Sequence, residues 1–442
     1  MKFGVLFSGG KDSVFACHLA MQKDEVACLI TILSENPDSY MFHTPNIRCT
    51  DMQARAMEIP ILSWTTKGRK EEELQDLATA ISAARDRYGI EGIVTGAIES
   101  VYQAARVQRI CRELGLWCCS PLWQINQIDY LRLLLKESFS VIISGVYAYP
   151  FDQSWLGAML SEERIQILQS LQKKYKINPS GEGGELETLV LDGPLFHKRI
   201  EILKASQIYA GHRGQFIIEK ARLADKTARK RKTEPCGRPA GHFSLLQESA
   251  RTEKDRGGIL LIDLCAASDS LFEYEFVHSI RAALKDSGYG SHIRHYSKIT
   301  PKDIDASEKI ILCGTALKDD DYLHKLGSLS WIKDFPKPLM GICAGMQAIS
   351  AVYGGSILSC PAIGLTEIEI RQESSILGEP RSLEVFQLHN HAATLPEKFI
   401  LLAGEGDAAL AFQHQCLPTF GLLFHPEVRC RWILERFAKL PG

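Results

Sequence analysis

The chain has 442 residues, of which 45% are hydrophobic and 24% charged, an ordinary composition for a globular protein that can bury large cores. At roughly 150 residues per domain, this length predicts about three domains. Lys and Arg number 51 and Asp and Glu number 53, and this near balance excludes a globally basic nucleic-acid-binding protein. We therefore do not expect nucleic acid among its partners.

The sequence shows no feature that directs it to a membrane or to the secretory pathway. No apolar run approaches the roughly 18 residues of a membrane-spanning helix. Met1-Lys2 leads directly into a short strand-like run instead of a signal peptide. The 13 cysteines include no Cys-x-x-Cys pair, and their odd number without a signal peptide indicates reduced thiols. These features predict a cytoplasmic protein without a membrane partner.

The first part of the chain alternates short apolar runs with longer amphipathic stretches. Helical periodicity is seen at Lys70–Tyr88 and at Val101–Leu114. Such alternation predicts a parallel sheet with helices on both faces. The apolar runs that we assign to strands of this sheet are Phe3–Phe7, Val26–Ile32, Ile61–Trp64, Gly92–Thr95 and Val141–Val146.

Residues 147–222 interrupt this alternation and predict a smaller α+β segment. A helical stretch at about Glu162–Tyr175 precedes a glycine-rich segment, and two strand-like runs then flank Gly211-His212-Arg213-Gly214 as in a β-hairpin. Residues 223–256 are polar, with Arg229-Lys230-Arg231-Lys232 at their centre. We interpret them as an exposed linker, with a patch that meets RNA or an acidic partner as the alternative.

A second alternation of strands and helices occupies residues 257–442. Its strand-like runs are Ile259–Asp263, Lys309–Leu312, Pro338–Ile342 and Thr419–Phe424, and its helical stretches are Leu271–Lys285 and Ala344–Tyr353. The chain is thus predicted to be an α/β protein with two doubly wound parallel-sheet domains. We place these domains at 1–146 and 257–442, with the accessory segment at 147–222 and the linker at 223–256.

A glycine-rich turn directly follows the first predicted strand. Its sequence is Ser8-Gly9-Gly10-Lys11-Asp12-Ser13, and a helical stretch comes next. The glycines permit a sharp turn, after which backbone N–H groups, the helix dipole and two hydroxyls converge where an anion can bind. The turn lacks the GxxxxGK[ST] pattern of the P-loop. It resembles the SGGxDS loop of the PP-loop ATPases, and a purely structural turn is the alternative.

The resemblance to PP-loop ATPases implies a HUP-like fold and an adenylating activity. In that superfamily the loop holds pyrophosphate while the α-phosphate of ATP adenylates a substrate, and Mg²⁺ is the expected accompanying ion. The residues expected to bind ATP and pyrophosphate are Ser8, Gly9, Gly10, Lys11, Asp12 and Ser13.

Three further stretches narrow this resemblance. They are Ser39–Asn46, Gly96–Val107 and Gly181-Glu182-Gly183-Gly184-Glu185-Leu186-Glu187-Thr188-Leu189-Val190. Together they resemble the diphthine–ammonia ligase family over about residues 1–222. The three glutamates of the last stretch are its most distinctive feature, because they have no evident role in a core. They could hold magnesium or orient a cationic substrate, and solvated loop charges are the alternative.

Enzymes of that family amidate the carboxylate of diphthine, a modified histidine of translation elongation factor 2, and are expected to release AMP and pyrophosphate. Adenylation serves this reaction because a free carboxylate would have to expel oxide. Diphthine also carries a quaternary ammonium, which an aromatic face would suit. Trp155 is the candidate for that face, and a buried core tryptophan is the alternative. The other expected substrate-site residues are Glu99, Tyr102, Glu182, Glu185 and Glu187.

Two positions depart from the family pattern. Ala104 follows Gln103, and Ala158 follows Gly157, where the resemblance leads us to expect arginines. These departures concern the acceptor substrate more than the adenylation step.

A second motif lies in the C-terminal half. The apolar run Pro338–Ile342 ends at Cys343-Ala344-Gly345, and small residues there permit the sharp strand-to-helix turn that exposes a nucleophile. The helix N-terminus favours a thiolate. His425 follows the strand-like run Thr419–Phe424 and is the expected base, and Glu427 is expected to orient its ring. A buried inert Cys343 is the alternative.

Gly-x-Cys-x-Gly followed by a distant His-Pro-Glu resembles the class I glutamine amidotransferases, whose fold is flavodoxin-like. The resemblance implies that a γ-glutamyl thioester forms on Cys343 and that ammonia is released. The backbone N–H groups of Ala344 and Gly314 are the expected oxyanion donors, although Cys313-Gly314-Thr315-Ala316 stands where the family usually has Gly-Gly-Pro. His389 and His391 lie in a predicted loop that either borders glutamine or is a plain surface loop.

The activities predicted for the two halves complement each other, because one makes an acyl-adenylate that needs ammonia and the other makes ammonia from glutamine. The sequence therefore predicts a glutamine-hydrolysing, ATP-dependent amidoligase that acts on diphthine. One alternative is an amidoligase for a nucleotide or another small substrate, in the style of GMP synthetase. The other is a nucleotide-binding regulatory protein whose glutaminase unit only senses glutamine.

Overall fold

The computed structural model describes residues 1–36, 46–69, 72–226 and 258–442. The chain divides into two compact units, which hold residues 1–226 and residues 258–442 of the described part. Residues 227–256 of the predicted linker, most of the stretch 39–46 and Lys70 lie outside the described residues. The linker prediction began too early, because residues 223–225 belong to a β-strand.

The N-terminal unit is built on a five-stranded parallel sheet in the order β3-β2-β1-β4-β5. Its strands are β1 (Lys2–Leu6), β2 (Glu25–Ser34), β3 (Ile61–Thr66), β4 (Gly92–Val94) and β5 (Trp117–Cys119). The helices between and after them are α1 (Lys11–Lys23), α2 (Thr50–Met57), α3 (Glu72–Tyr88), α4 (Val101–Glu113) and α5 (Gln127–Lys136), with a 3₁₀ turn at Ile47–Cys49.

The strand order of this sheet reverses at β1. The chain runs outward from β1 to β2 and β3, and then returns to β4 and β5 on the other side of β1. Loops at the carboxyl ends of β1 and β4 therefore diverge, and such a switch point forms a crevice in which ligands bind. On one face, Leu77 and Ile81 of α3 and Val107 of α4 pack in a buried cluster with Ile30 and Ile93 of the sheet.

The predicted strand at residues 141–146 belongs to a second sheet, so our assignment of it to the parallel sheet was wrong. This strand, β6 (Ser140–Val146), pairs antiparallel with β7 (Leu186–Asp192) and β9 (Arg213–Asp225). β8 (Lys198–Ala210) completes a four-stranded sheet in the order β7-β6-β9-β8, and α6 (Glu162–Tyr175) precedes β7. The run is apolar on both faces, a pattern that does not distinguish a central antiparallel strand from a parallel one.

The predicted hairpin is confirmed. Gly211 and His212 form the two-residue connection between β8 and β9, and both have positive φ, at 56° and 64°. These are the angles of a type I′ turn, whose twist matches that of the flanking strands.

The C-terminal unit has a nine-stranded mixed sheet in the order β11-β10-β12-β13-β18-β17-β15-β14, with β16 paired to β17. β10 (Ile259–Asp263), β11 (Ser291–His295), β12 (Lys309–Leu312), β13 (Leu339–Ile342) and β18 (Thr419–Leu422) are parallel. An antiparallel extension that the sequence did not reveal comprises β14 (Ile357–Ile370), β15 (Arg381–Ala393), β16 (Phe399–Glu405) and β17 (Ala408–His414).

Helices on both sides of this sheet complete the predicted α/β fold. They are α7 (Ser279–Asp286), which continues a π-helical turn at Tyr274–His278, α8 (Pro301–Ala306), α9 (Ala344–Val352), α10 (Pro426–Arg429) and α11 (Arg431–Lys439), with a 3₁₀ stretch at Asp321–Asp334. Two buried clusters fill the space between helices and sheet. No helix in the described ranges combines the length and the apolarity needed to cross a bilayer.

Helix α9 packs so closely on β12 that Gly345 has no room for a side chain. A Cβ at this position would overlap the carbonyl group of Leu312, which is backbone and cannot move aside. We expect Gly345→Ala to destabilise the C-terminal unit by about 1–3 kcal/mol or more, measured as a lowered thermal transition. Gly327→Ala is the matched control, because its Cβ would meet nothing within 4 Å. Equal transitions for both variants would contradict this account of the packing.

Candidate functional sites

The glycine-rich turn lies between β1 and α1, as predicted. Gly9 has a φ of +78°, a left-handed conformation that favours glycine. A Cβ on Gly10 would come 3.2 Å from the carbonyl oxygen of Thr188, so the loop also needs a small residue there. The hydroxyls of Ser8 and Ser13 lie 3.2 Å apart, and that of Ser13 also donates to the Gly10 carbonyl at 3.1 Å. The loop is thus closed around its own hydroxyls at the start of a helix.

The Lys11 side chain is turned inward and is only 2% exposed. Its ammonium donates to Asp12 Oδ2 at 2.9 Å and to the carbonyl of Ser180, which precedes the glycine-rich stretch before β7. Its backbone N–H donates to the hydroxyl of Thr188 on β7 at 3.2 Å. Lys11 therefore joins the turn to the accessory segment. The second Asp12 oxygen, Oδ1, is buried without a hydrogen-bond partner among the described residues.

A cavity of about 360 Å³ opens beside this turn, at the switch point of the parallel sheet. Its polar lining comes from the turn, the segment after β4 and the glycine-rich stretch before β7. These polar lining residues include Ser8, Gly10, Lys11, Asp12, Ser13, Thr95, Ser100, Glu182, Glu187 and Thr188. Four apolar lining residues, Ile30, Ile32, Leu77 and Val107, belong to one buried cluster. A ligand with a charged end and a flat apolar end fits such a cavity.

Glu182 is held by the backbone at the start of α4. Its Oε1 accepts hydrogen bonds from the N–H groups of Ile98, Glu99 and Ser100 at 3.0, 2.9 and 3.1 Å. Burial and the nearby charge of Asp12 raise the pKa of Glu182, while the three hydrogen bonds act in the opposite direction. The glutamate thus ties the glycine-rich stretch to the segment after β4, and both segments line the cavity.

Glu187 also lines the cavity, at the start of β7. Burial raises its pKa to about 7, the negative charges of Asp12 and Glu182 contribute in the same direction, and the Lys11 ammonium opposes the shift. Three carboxylates therefore influence one another at this end of the cavity, and Lys11 is the one cation among the described lining residues.

The remaining predicted substrate residues do not line the cavity. Glu185 accepts hydrogen bonds from the backbone N–H and the side-chain amide of Asn178, at 2.9 and 3.2 Å, and so shapes the glycine-rich stretch. Glu99 contributes its backbone N–H to Glu182. The Tyr102 ring is covered by the Arg106 guanidinium, 3.3 Å from the ring centroid.

Trp155 is a core residue in this structure. It is buried against Phe151, with ring centroids 5.1 Å apart, and the guanidinium of Arg164 lies 5.1 Å from its ring centroid. Its face is therefore already paired with a cation of the chain. The alternative of a buried core tryptophan is the one that the geometry favours.

Sequence reasoning missed Gln53 as a residue that supports the turn. Its side-chain amide donates to the carbonyls of Gly9 and Val190, each at 2.8 Å, and so links the turn to β7. Gln127 was also missed, and its Oε1 accepts from the N–H and hydroxyl of Ser180 at 3.0 and 2.7 Å. Both glutamines act across long sequence separations, and neither lies in a recognisable motif.

The raised pKa of Glu187 predicts a pH-dependent stability. Between about pH 4.5 and about pH 7 the folded protein retains a proton on Glu187 that the unfolded chain has lost, so stability falls as pH rises through this window. Glu187→Gln removes this titration, and we expect its transition temperature to fall less than that of the wild type over the same window. Thermal unfolding monitored at several pH values checks this.

Glu72→Gln is the matched control, because Glu72 is 57% exposed on the outer surface of α3. Its pH dependence should follow that of the wild type. A Glu187→Gln curve that runs parallel to the wild-type curve throughout would mean that Glu187 titrates at its ordinary pKa.

In the C-terminal unit, Cys343 lies in a strained turn between β13 and α9. Its φ and ψ are +51° and −107°, a conformation that non-glycine residues rarely adopt. The side chain is buried, and Sγ lies 3.5 Å from the carbonyl oxygen of Leu388 on β15. A cysteine held in this turn at the N-terminus of a helix has the geometry of a nucleophile elbow.

His425 and Glu427 form a buried pair beside Cys343. His425 Nδ1 lies 2.8 Å from Glu427 Oε1, which fixes the ring, and Nε2 has no hydrogen-bond partner at ordinary distance among the described residues. Burial acts to lower the pKa of His425, but the negative charges of Glu427 and of a Cys343 thiolate raise it well above its ordinary value. The pair can therefore take up a proton from the thiol.

The structure also brings both predicted oxyanion donors to this site. Ala344 is the first residue of α9, directly after Cys343. A Cβ on Gly314 would lie 3.0 Å from His425 Cε1 and 3.6 Å from Cys343 Cβ, so this glycine adjoins both of these side chains. Their role as oxyanion donors stays a prediction.

The predicted loop around His389 and His391 is in fact part of β15, so the loop assignment was wrong. His389 is buried, and its Nε2 lies 3.2 Å from Gln387 Oε1. Burial lowers its pKa to about 4, and the charge of nearby His425 contributes. His391 is half-buried, with Nε2 3.6 Å from Asp320 Oδ1. Alternation of apolar and polar residues was too weak here to indicate a strand.

Three family models match the chain. "Diphthamide synthase N-terminal domain" matches residues 1–118, "Diphthamide synthase C-terminal domain" residues 126–224, and "Glutamine amidotransferase class-I" residues 270–433. The first two together correspond to the parallel sheet with its helices and to the accessory antiparallel sheet.

Individual relatives agree with this division. "Diphthine–ammonia ligase" of Rattus norvegicus is 35% identical over 222 residues, which cover 46% of this chain and 83% of the relative. A subunit of the glutamine-hydrolysing GMP synthase of Thermoplasma acidophilum is 35% identical over 143 residues, which cover 30% of this chain and 72% of the relative. A crystal structure described as a GMP synthase protein of the same organism is 28% identical, with a TM-score of 0.37, and the match covers 41% of this chain and 92% of that one.

The sequence-based identification is confirmed by the identity to diphthine–ammonia ligases across most of their length and by the family models in both halves of the chain. The chain belongs to the diphthine–ammonia ligase family and carries a class I glutamine amidotransferase domain in its C-terminal half.

Proposed function

We propose that this protein is a glutamine-hydrolysing, ATP-dependent diphthine–ammonia ligase. The observation that carries the proposal is that Cys343, His425 and Glu427 lie together beside Gly314. The same chain has a ligase unit with the glycine-rich turn Ser8–Ser13, which we call the phosphate-type turn. An intact nucleophile, base and orienting carboxylate favour a working glutaminase over a domain that only senses glutamine.

ATP fits the cavity of the N-terminal unit. Its phosphates would lie against the Ser8–Ser13 turn, and its adenine against the clustered apolar lining residues Ile30, Ile32, Leu77 and Val107. The unpartnered Asp12 Oδ1 suits Mg²⁺, which typically takes one or two protein carboxylates together with substrate phosphates. When bound, the ion would supply charge neutralisation on the phosphates.

The carboxylate of diphthine on elongation factor 2 is the proposed acceptor at this site. One of its oxygens attacks the α-phosphorus of ATP, and pyrophosphate leaves to give an acyl-adenylate. Ammonia then attacks the acyl carbon, AMP leaves, and an amide remains. Glu187 lines the cavity with a pKa near neutrality, so it can take up a proton from the incoming ammonia as the C–N bond forms.

Glutamine hydrolysis is assigned to the C-terminal unit. Cys343 Sγ attacks the side-chain carboxamide carbon of glutamine while its proton passes to His425 Nε2. The N–H groups of Gly314 and Ala344 stabilise the oxyanion, and the tetrahedral intermediate expels ammonia with the proton that His425 returns. Water then cleaves the thioester to give glutamate and the free thiol, again with His425 as base. Glutamine and elongation factor 2 are accordingly the proposed partners, and the cytoplasmic location stays a prediction.

The first test concerns the turn after β1. Asp12→Ala should abolish adenylation, because it removes both the Lys11 partner and the free carboxylate oxygen, while leaving the fold intact. AMP and pyrophosphate formation on diphthine-bearing elongation factor is measured with ammonium as the nitrogen source, beside a panel of nucleotides as acceptors. Asp86→Ala, at an exposed aspartate of α3, is the matched control. Wild-type release of ADP and orthophosphate would refute the assignment of the turn.

The second test separates the two half-reactions. Cys343→Ala removes the thioester route, and loss of such a nucleophile typically costs on the order of 10⁴-fold or more. Glutamine-dependent ligation should collapse, whereas a high concentration of ammonium should restore it, because an acyl-adenylate accepts ammonia from any source.

Cys416→Ala, at an exposed thiol of the same unit, is the matched control and should retain full activity. His425→Ala should resemble Cys343→Ala, and Glu427→Ala should be milder. Full glutamine-dependent activity in Cys343→Ala would exclude the amidotransferase mechanism. Failure of ammonium to rescue the folded variant would show that the two units are not related as supplier and user of ammonia.

A further inference from the structure

The segment that carries Gly314 reads Cys313-Gly314-Thr315-Ala316, where the resemblance to amidotransferases leads us to expect Gly-Gly-Pro. We call residues 313–321, which follow β12, the oxyanion loop. Gly314 adjoins Cys343 and His425, and the next residue, Thr315, has a hydroxyl where glycine has none. The loop must hold the Gly314 backbone in place without the rigidity of a proline.

Asp319 binds the oxyanion loop from within. Its Oδ2 accepts the Thr315 hydroxyl and the Ala266 backbone N–H, both at 2.7 Å, and its Oδ1 accepts the Asp321 N–H at 3.3 Å. Its own N–H donates to the Ala316 carbonyl at 2.9 Å. Asp319 and Thr315 are only 5% and 4% exposed, so little water competes for these hydrogen bonds.

The same carboxylate joins two loops of the sheet. Ala266 lies in the loop after β10, and Thr315 lies in the loop after β12, the neighbouring parallel strand. A second tether runs from the side-chain amide of Asn390 on β15 to the Leu317 carbonyl at 2.7 Å. The oxyanion loop is thus held by Asp319 and again at Leu317, in its middle. Leu388, whose carbonyl oxygen lies 3.5 Å from Cys343 Sγ, is on the strand that supplies this second tether.

We propose that Asp319 is a positioning residue for glutamine hydrolysis, and that it acts through the Thr315 hydroxyl to hold the Gly314 N–H against the developing oxyanion. The inference rests on the proposed glutaminase activity. Both Asp319 oxygens accept hydrogen bonds. In Asp319→Asn the side-chain NH₂ would replace one of these oxygens and would face a hydrogen-bond donor.

Thr315→Val tests this in the full chain, because it keeps the shape and removes the hydroxyl. We expect kcat for glutamine hydrolysis to fall roughly 10-fold or more, since small displacements of a reacting geometry are costly, while KM for glutamine changes far less. Thr315→Ser, which keeps the hydroxyl, should restore kcat. Asp319→Asn changes the acceptor of the same hydrogen bond, and it provides a second test if Thr315→Val fails to fold.

Alkylation of Cys343 by iodoacetamide, followed on its peptide by mass spectrometry, supplies a second readout. A general distortion of the site would change the rate of this alkylation. This displacement needs the thiolate but forms no oxyanion, so its rate should match the wild type in Thr315→Val. Ser307→Ala is the matched control. It also removes a buried hydroxyl hydrogen bond, but one that lies before β12, whereas the Thr315 hydroxyl lies after β12.

Three outcomes are distinct. Reduced kcat with unchanged alkylation supports the positioning role. Wild-type kcat in Thr315→Val and Asp319→Asn, or a parallel loss of hydrolysis and alkylation, overturns it. A wild-type protein that alkylates at Cys343 but hydrolyses no glutamine removes the proposed glutaminase itself, and the inference with it.

Discussion

In each unit a parallel strand turns directly into a helix, and the backbone at that turn is forced into a conformation with positive φ. Gly9 allows it in the N-terminal unit, and Cys343 adopts it under strain in the C-terminal unit. The turn aims the first N–H groups of a helix, together with the side chains beside them, at the carboxyl edge of the sheet. Other strands bring the remaining parts of the two candidate sites to that edge. In the N-terminal unit these parts are the segment after β4 and the start of β7, and in the C-terminal unit they are Gly314 and His425.

The two turns are supported by different means. The phosphate-type turn depends on polar contacts from distant parts of the chain, through Gln53, Thr188 and Ser180. The nucleophile turn depends on close packing of small residues, with Gly341 and Gly345 in contact distance of each other. The first turn is thus held by hydrogen bonds from other parts of the chain, and the second by direct backbone contact between β13 and α9.

Most of what was predicted from sequence is local. The turn at residues 8–13, the hairpin at 211–212 and the order of Cys343, His425 and Glu427 are carried by short motifs, and the structure confirms where they lie. The sheet that β6 joins and the antiparallel strands β14–β17 escaped prediction, because periodicity shows that a run is buried and not which strand it pairs with. Glu182, Glu185 and Glu187 share one motif but have three different environments. Two of these depend on Ile98 and Asp12, which are far away in the sequence, and the third on the nearby Asn178.

The charge of the N-terminal cavity limits what it can bind. Among the described lining residues, Asp12, Glu182 and Glu187 are accompanied by one cation, Lys11, whose ammonium already donates hydrogen bonds to Asp12 and to the Ser180 carbonyl. A polyphosphate that entered with all its charges exposed would meet net repulsion in a partly buried site, where charges interact more strongly than in water. Besides the N–H groups at the start of α1, two further sources of positive charge could offset it, a proton on Glu187 or the divalent ion proposed for Asp12 Oδ1. Burial raises the pKa of Glu187 to about 7 in the unliganded protein, so this proton is less available at alkaline pH. Under the proposed function, nucleotide affinity should therefore depend on the divalent ion more steeply at alkaline than at acidic pH, which nucleotide titrations at several pH values and ion concentrations measure.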